Sequence, residues 1–139
     1  MTEEIIYSVE AADLLTPVGA FMRLSTLIPE QDGKRPYRLL LESVEGGAAR
    51  GRYSVIALMP DLVWRCQHGK AELNRHPDRP DSRFEPVENA PLASLRALIA
   101  ESRMALPHGL PPVIAGLFGY LGYGVVRLME VLPHAPADD

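Results

Sequence analysis

The chain has 139 residues, of which 47% are hydrophobic and 23% charged, and 14 basic against 18 acidic side chains leave a net charge of −4. This is globular rather than disordered composition, and basic residues scattered among acidic ones offer no cationic face to nucleic acid. A single cysteine excludes an intrachain disulfide, the acidic start Met1-Thr2-Glu3-Glu4 is no secretory leader, and no run of about 18 apolar residues reads as a membrane span. The expectation is one ordinary cytoplasmic domain.

Thr16-Pro17 puts a capping hydroxyl before a proline at the first helical position, and Val18, Phe21, Met22 and Leu24 follow at helical spacing, which predicts a helix toward Leu27. Residues 29–36, with Gly33 between two prolines, read as a loop. Residues 37–44 form an apolar strand that closes on the turn chemistry of Glu45-Gly46-Gly47. Residues 52–58 form a second strand, stopped by Met59-Pro60. Residues 62–67 and 70–74 flank His68-Gly69 and predict a β-hairpin with a tight turn. Cys66, with no catalytic motif around it, is expected to be a half-buried strand thiol.

Residues 75–88 are polar and proline-rich, an exposed loop. Leu92, Leu95, Leu98 and Ile99 recur at three to four residues and predict an amphipathic helix over 91–104. Residues 113–120 read as a buried strand and residues 125–132 as a short helix ended by Pro133. From Val113 to Leu132 the only charges are Arg127 and Glu130, so this stretch reads as built to be covered on both sides. Strands grouped with a few helices, without strict alternation, imply an α+β (complex α/β) layout, mainly antiparallel sheet with a few flanking helices.

Chemistry is sparse. The four histidines, at 68, 76, 108 and 134, lie far apart beside turns or prolines, whereas metal ligands come in close pairs, so no metal site is assigned. There is no nucleophile elbow, phosphate-cradling loop or nucleotide fingerprint, and the glycines at 116, 119, 122 and 124 have the spacing of backbone packing. Arg127 and Glu130, three apart, can pair on a helix. The run Leu39-Leu40-Leu41-Glu42-Ser43-Val44 is a buried strand that turns polar at its end. Glu42 and Ser43 fall on opposite faces, and a serine hydroxyl there either binds a small polar group, such as an ammonium, or simply closes the strand.

Leu40-Leu41-Glu42-Ser43-Val44-Glu45-Gly46-Gly47 followed by Gly51-Arg52-Tyr53-Ser54-Val55-Ile56 resembles the "LLES…RYSFIG" signature of anthranilate synthase component I. Gly119-Tyr120-Leu121-Gly122-Tyr123-Gly124-Val125-Val126-Arg127-Leu128-Met129-Glu130-Val131-Leu132-Pro133 resembles its "GYxGYDxVRxxExLP" signature, and Thr16-Pro17-Val18 with Arg23-Leu24 resembles the family's start. The three matches occur in the family's order and span nearly the whole chain, which would then be the N-terminal region of the component I fold over residues 1–139.

The resemblance implies an enzyme that turns chorismate and ammonia into anthranilate and pyruvate, the ammonia coming from glutamine through an amidotransferase subunit. It implies magnesium and the catalytic residues in a C-terminal domain that this chain lacks, leaving the chain alone inactive, with no catalytic residue. It also implies a tryptophan feedback site lined by Ser43, Glu42 and Leu41. Beside that transfer, Arg52 or Arg50 can match a carboxylate in bidentate fashion or form an ordinary surface ion pair, and Tyr53 can face the indole or sit in the core. Gly124 departs from the family's aspartate; if that aspartate caps the following helix, glycine is a fair substitute, and if it makes a polar contact to the missing domain, that contact is gone. Two alternatives remain open: the related aminodeoxychorismate synthase component I of the folate pathway, and a stand-alone amino-acid-binding regulatory module. The truncated-enzyme reading predicts an exposed apolar patch near residues 113–132, or a homo-oligomer that covers it.

Overall fold

The computed structural model describes residues 5–28, 30, 36–42, 53–114 and 116–132. They gather into two compact units, one comprising Met1–Ile5, Leu62–Arg75 and Arg83–Asp139, the other Ile6–Asp61 and His76–Ser82.

The second unit is a helix on a strand pair. Helix α1 (Pro17–Thr26) starts where the sequence places it: Thr16 is extended, its Oγ1 accepts from Gly19 N at 3.1 Å, and proline occupies the first turn. Strands β1 (Arg38–Leu41) and β2 (Val55–Leu58) pair antiparallel in the register Arg38↔Leu58, Leu39↔Ala57, Leu40↔Ile56 and Leu41↔Val55. Both are shorter than the apolar runs that predict them. Met59 ends β2 in the left-handed region, with φ of 50°, and hands the chain to Pro60. Helix α1 packs against both strands, and Arg38 Nη2 donates to the Ile28 carbonyl at 2.7 Å, which fixes the helix exit to β1.

The first unit is built on a hairpin. Strands β3 (Val63–Gln67) and β4 (Lys70–Asn74) pair in full register from Val63↔Asn74 to Gln67↔Lys70. His68 and Gly69 turn with φ of 50° and 71°, the double positive φ whose twist suits a two-residue hairpin. A third strand, β5 (Glu85–Pro86), pairs with β4 through Leu73↔Glu85 and Glu72↔Pro86, so the sheet order is β3-β4-β5. The sequence reads this region as loop. A two-residue strand carries no periodicity, and proline is tolerated only because β5 is an edge.

Side chains alternate, so Trp64, Cys66, Ala71 and Leu73 share one face of the hairpin. Helix α2 (Pro91–Glu101) packs on β4. Trp64 Nε1 donates to Ser94 Oγ at 3.0 Å, and the Ser94 hydroxyl donates to the Pro91 carbonyl at 2.8 Å. Ala71 and Leu98 are the buried apolar side chains among the described residues, and Ser94 and Asn74 are the buried polar ones. The opposite face carries the 2.7 Å Arg65–Glu72 ion pair, and the Arg65 guanidinium lies 3.7 Å from the Phe84 ring centroid. Arg75 grips Glu101 with two bonds of 3.1 and 3.2 Å, tying the end of β4 to the end of α2. Cys66 is half-buried in β3, as expected.

Helix α2 stops at Glu101, three residues before the expected end. The Ser102 hydroxyl takes the Leu98 carbonyl at 2.8 Å, and Pro107 disfavours helical backbone at the residue before it. The larger correction lies beyond. The run 113–120, expected as a buried strand, instead has a 3-10 turn at Pro112–Ile114, and residues 116–120 are irregular and mostly exposed. Pro111 and Pro112 donate no backbone hydrogen bonds, and Gly116 adopts φ of 138°, so no regular ladder can form there. The short helix expected over 125–132 is instead a 3-10 helix, Tyr123–Leu128. The architecture is thus small antiparallel sheets with a few helices, compatible with the α+β class.

Candidate functional site

The candidate residues come together at one end of the β1–β2 pair. Leu41↔Val55 is the last pair of the ladder, so Glu42, leaving β1, and Tyr53-Ser54, entering β2, lie at the same edge. By alternation Leu39, Leu41, Val55 and Ala57 share a face, and Tyr53, two residues before Val55, continues it. Leu41 is 42% and Tyr53 52% exposed, and the Glu42 carboxylate is exposed with them. Leu41 and Tyr53 thus share one face at the open strand end, and by the same alternation Glu42 leaves β1 on the other. Ser43, Arg50 and Arg52 lie outside the described residues, as does the Glu45-Gly46-Gly47 turn. The strand register brings one further residue to this edge, Ser54, which sequence reading passes over because the motif is read as a string and not as a paired ladder.

Among the described residues no group of three or more His, Cys, Asp or Glu gathers as a metal site. No described helix is long and apolar enough to cross a membrane.

A protein from Cereibacter sphaeroides named anthranilate synthase component 1 is 47% identical over 130 residues, covering 94% of this chain. Proteins of the same name from Acetivibrio thermocellus and Synechocystis are each 34% identical, over 128 and 132 residues, covering 92% and 94% of the chain. The chain belongs to the anthranilate synthase component 1 family. It spans about a quarter of the length of the curated relatives it matches: 25%, 24% and 23% for these three. No family model matches the chain, and no solved structure matches it.

Within the anthranilate synthase component 1 signature, the departure at Gly124 proves not to concern the helix cap. The cap of the 3-10 helix Tyr123–Leu128 is Gly122, and Gly124 lies inside the first turn. Its φ is not left-handed, and a Cβ built there meets nothing within 4 Å. A Cβ therefore has open space at this position, and no close contact there requires glycine.

Proposed function

We propose that this chain is the N-terminal region of the large subunit of an anthranilate synthase, and that it carries part of the site through which tryptophan, the pathway's end product, inhibits the enzyme. The enzyme converts chorismate and ammonia, released from glutamine by an amidotransferase subunit, into anthranilate and pyruvate. Its catalytic and magnesium-binding groups belong to polypeptide outside this chain, which alone makes no anthranilate. The names of the relatives favour this branch over aminodeoxychorismate synthase.

The observation that carries the reading is the convergence of Leu41, Glu42 and Tyr53 at the open end of β1–β2. Free tryptophan presents an ammonium, a carboxylate and an indole. Glu42 and the Ser43 hydroxyl supply acceptors for the ammonium, Arg52 a bidentate partner for the carboxylate, and Leu41 and Tyr53 an apolar wall for the ring.

The test uses the full-length synthase that carries this region. Ser43→Ala and Glu42→Gln each remove one hydrogen bond to a charged group, a loss of about 1.5–3 kcal/mol. Tryptophan should then inhibit at least tenfold more weakly, while kcat and KM for chorismate stay as they are. Unchanged inhibition in both variants would sink the assignment.

A further inference from the structure

Antiparallel pairing selects neighbours that the amino-acid string does not. The β1–β2 ladder runs in unbroken register from Arg38↔Leu58 to Leu41↔Val55, and one step further it sets Glu42 opposite Ser54. Both residues are exposed, and both belong to the second unit. By alternation they share a face with Arg38, Leu40, Ile56 and Leu58. That face is closed at one end, where Arg38 Nη2 donates to the Ile28 carbonyl at 2.7 Å. It is half-buried along Leu40, Ile56 and Leu58. At the other end it is open, and there a carboxylate and a hydroxyl stand on opposite strands. Among the described residues no hydrogen bond or ion pair engages either of them.

We propose that Ser54 is a further ligand-binding residue of the amino-acid site, and that its hydroxyl and the Glu42 carboxylate together hold the ligand's ammonium group. Side chains directly opposite on an antiparallel pair have Cβ atoms about 4.5–5.5 Å apart. An ammonium nitrogen between two oxygens donates to each at about 2.8 Å, which fits that gap without moving the backbone. Glu42 supplies the charge. Ser54 supplies a second acceptor, so that an ammonium with three N–H donors has two of them satisfied by the protein. A ligand without the amino group gains nothing from Ser54, so the hydroxyl bears on which ligands the site takes: amino acids over the matching carboxylic acids. The polar pair lies on the face opposite Leu41 and Tyr53, and the ligand therefore sits across the open end of the ladder, its ammonium toward one face and its ring toward the other.

This inference rests on the reading of the β1–β2 end as the tryptophan site, and its test separates the two. In the full-length synthase that carries this region, inhibition is measured with tryptophan and with 3-(indol-3-yl)propanoate, which keeps the ring and the carboxylate but has no ammonium. Ser54→Ala should weaken tryptophan about tenfold, whereas Ser54→Thr, which keeps the hydroxyl, should inhibit as the parent does. The propanoate should act alike on the parent and on Ser54→Ala. Because both side chains hold one ammonium, Ser54→Ala should add little further loss in a Glu42→Gln background. Tryptophan inhibition unchanged in Ser54→Ala overturns the proposal. So does a loss that is shared by the propanoate, or one that adds in full to that of Glu42→Gln, since a disturbed fold gives both. Intact inhibition in Glu42→Gln and Ser43→Ala removes the whole site; weakened inhibition there, with Ser54→Ala unaffected, removes only the role of Ser54.

Discussion

A single hydrogen bond organises the best-packed part of the molecule. Trp64 in β3 and Ser94 in α2 are thirty residues apart in sequence, and the indole N–H finds its acceptor in a serine that is itself buried. Serine is an ordinary helix-surface residue, so nothing in the string Pro91-Leu92-Ala93-Ser94 announces it as core; only the face on which it lands makes it so. Ser94→Ala leaves the indole N–H without its acceptor and should cost about 1–3 kcal/mol in a urea unfolding experiment. Ser102→Ala, which removes a bond to the carbonyl one turn earlier, Leu98, at a half-buried site, should stay within about 0.5 kcal/mol of the parent. Equal effects would mean that Trp64–Ser94 is no anchor. The same scale governs the candidate site. Leu41, Glu42 and Tyr53 were legible as candidates from their motif, but their placement at one strand end follows from the Leu41↔Val55 pairing, which no single residue encodes.

Elements were legible in proportion to their local chemistry. Helix α1 begins at Pro17 because the Thr16 cap and the proline act within four residues of each other. The β3–β4 hairpin was legible because its strands flank a dipeptide that accepts positive φ. Gly69→Ala should cost about 1–2 kcal/mol, since a Cβ in the left-handed region meets the following carbonyl, even though the space around Gly69 is open. His68→Asn should raise stability slightly, because asparagine tolerates that region better than histidine. A thermal melt of both variants reads the sign; a neutral Gly69→Ala would show that the turn is not of this type. Strand β5 and the segment of residues 113–120 were not legible, for opposite reasons. Two residues of strand leave no pattern, whereas six hydrophobic residues in a run of eight leave a strong pattern that requires a partner ladder, and the described residues supply none.

At the scale of the whole molecule, the chain has ample apolar composition and little buried core. Hydrophobic residues are 47% of the sequence, yet Ala71 and Leu98 are the buried ones among the described residues. Folding free energy comes chiefly from apolar area removed from water, so the chain on its own should be weakly cooperative and sticky. It should bind the dye 1-anilinonaphthalene-8-sulfonate strongly in native buffer, and the fluorescence should fall when the intact relative is used instead. A dark solution of the isolated chain would contradict the exposure of Leu14, Tyr120 and Val131.

What the amino-acid string determined by itself is local and chemical: the Thr16-Pro17 helix start, the His68-Gly69 turn, the period of α2, and the motif runs at 40–56 and 119–133 that mark the family. These depend on neighbours a few residues away, whose sterics and hydrogen bonding are set by covalent connectivity. Tertiary structure alone decided which apolar residues are covered. It put Ser94 inside and left Tyr120 and Tyr123 outside, and it gathered Leu41, Glu42 and Tyr53 at one edge. Burial and proximity are properties of surfaces brought together across the chain, and a periodicity can say that a side chain needs a cover without saying where the cover comes from.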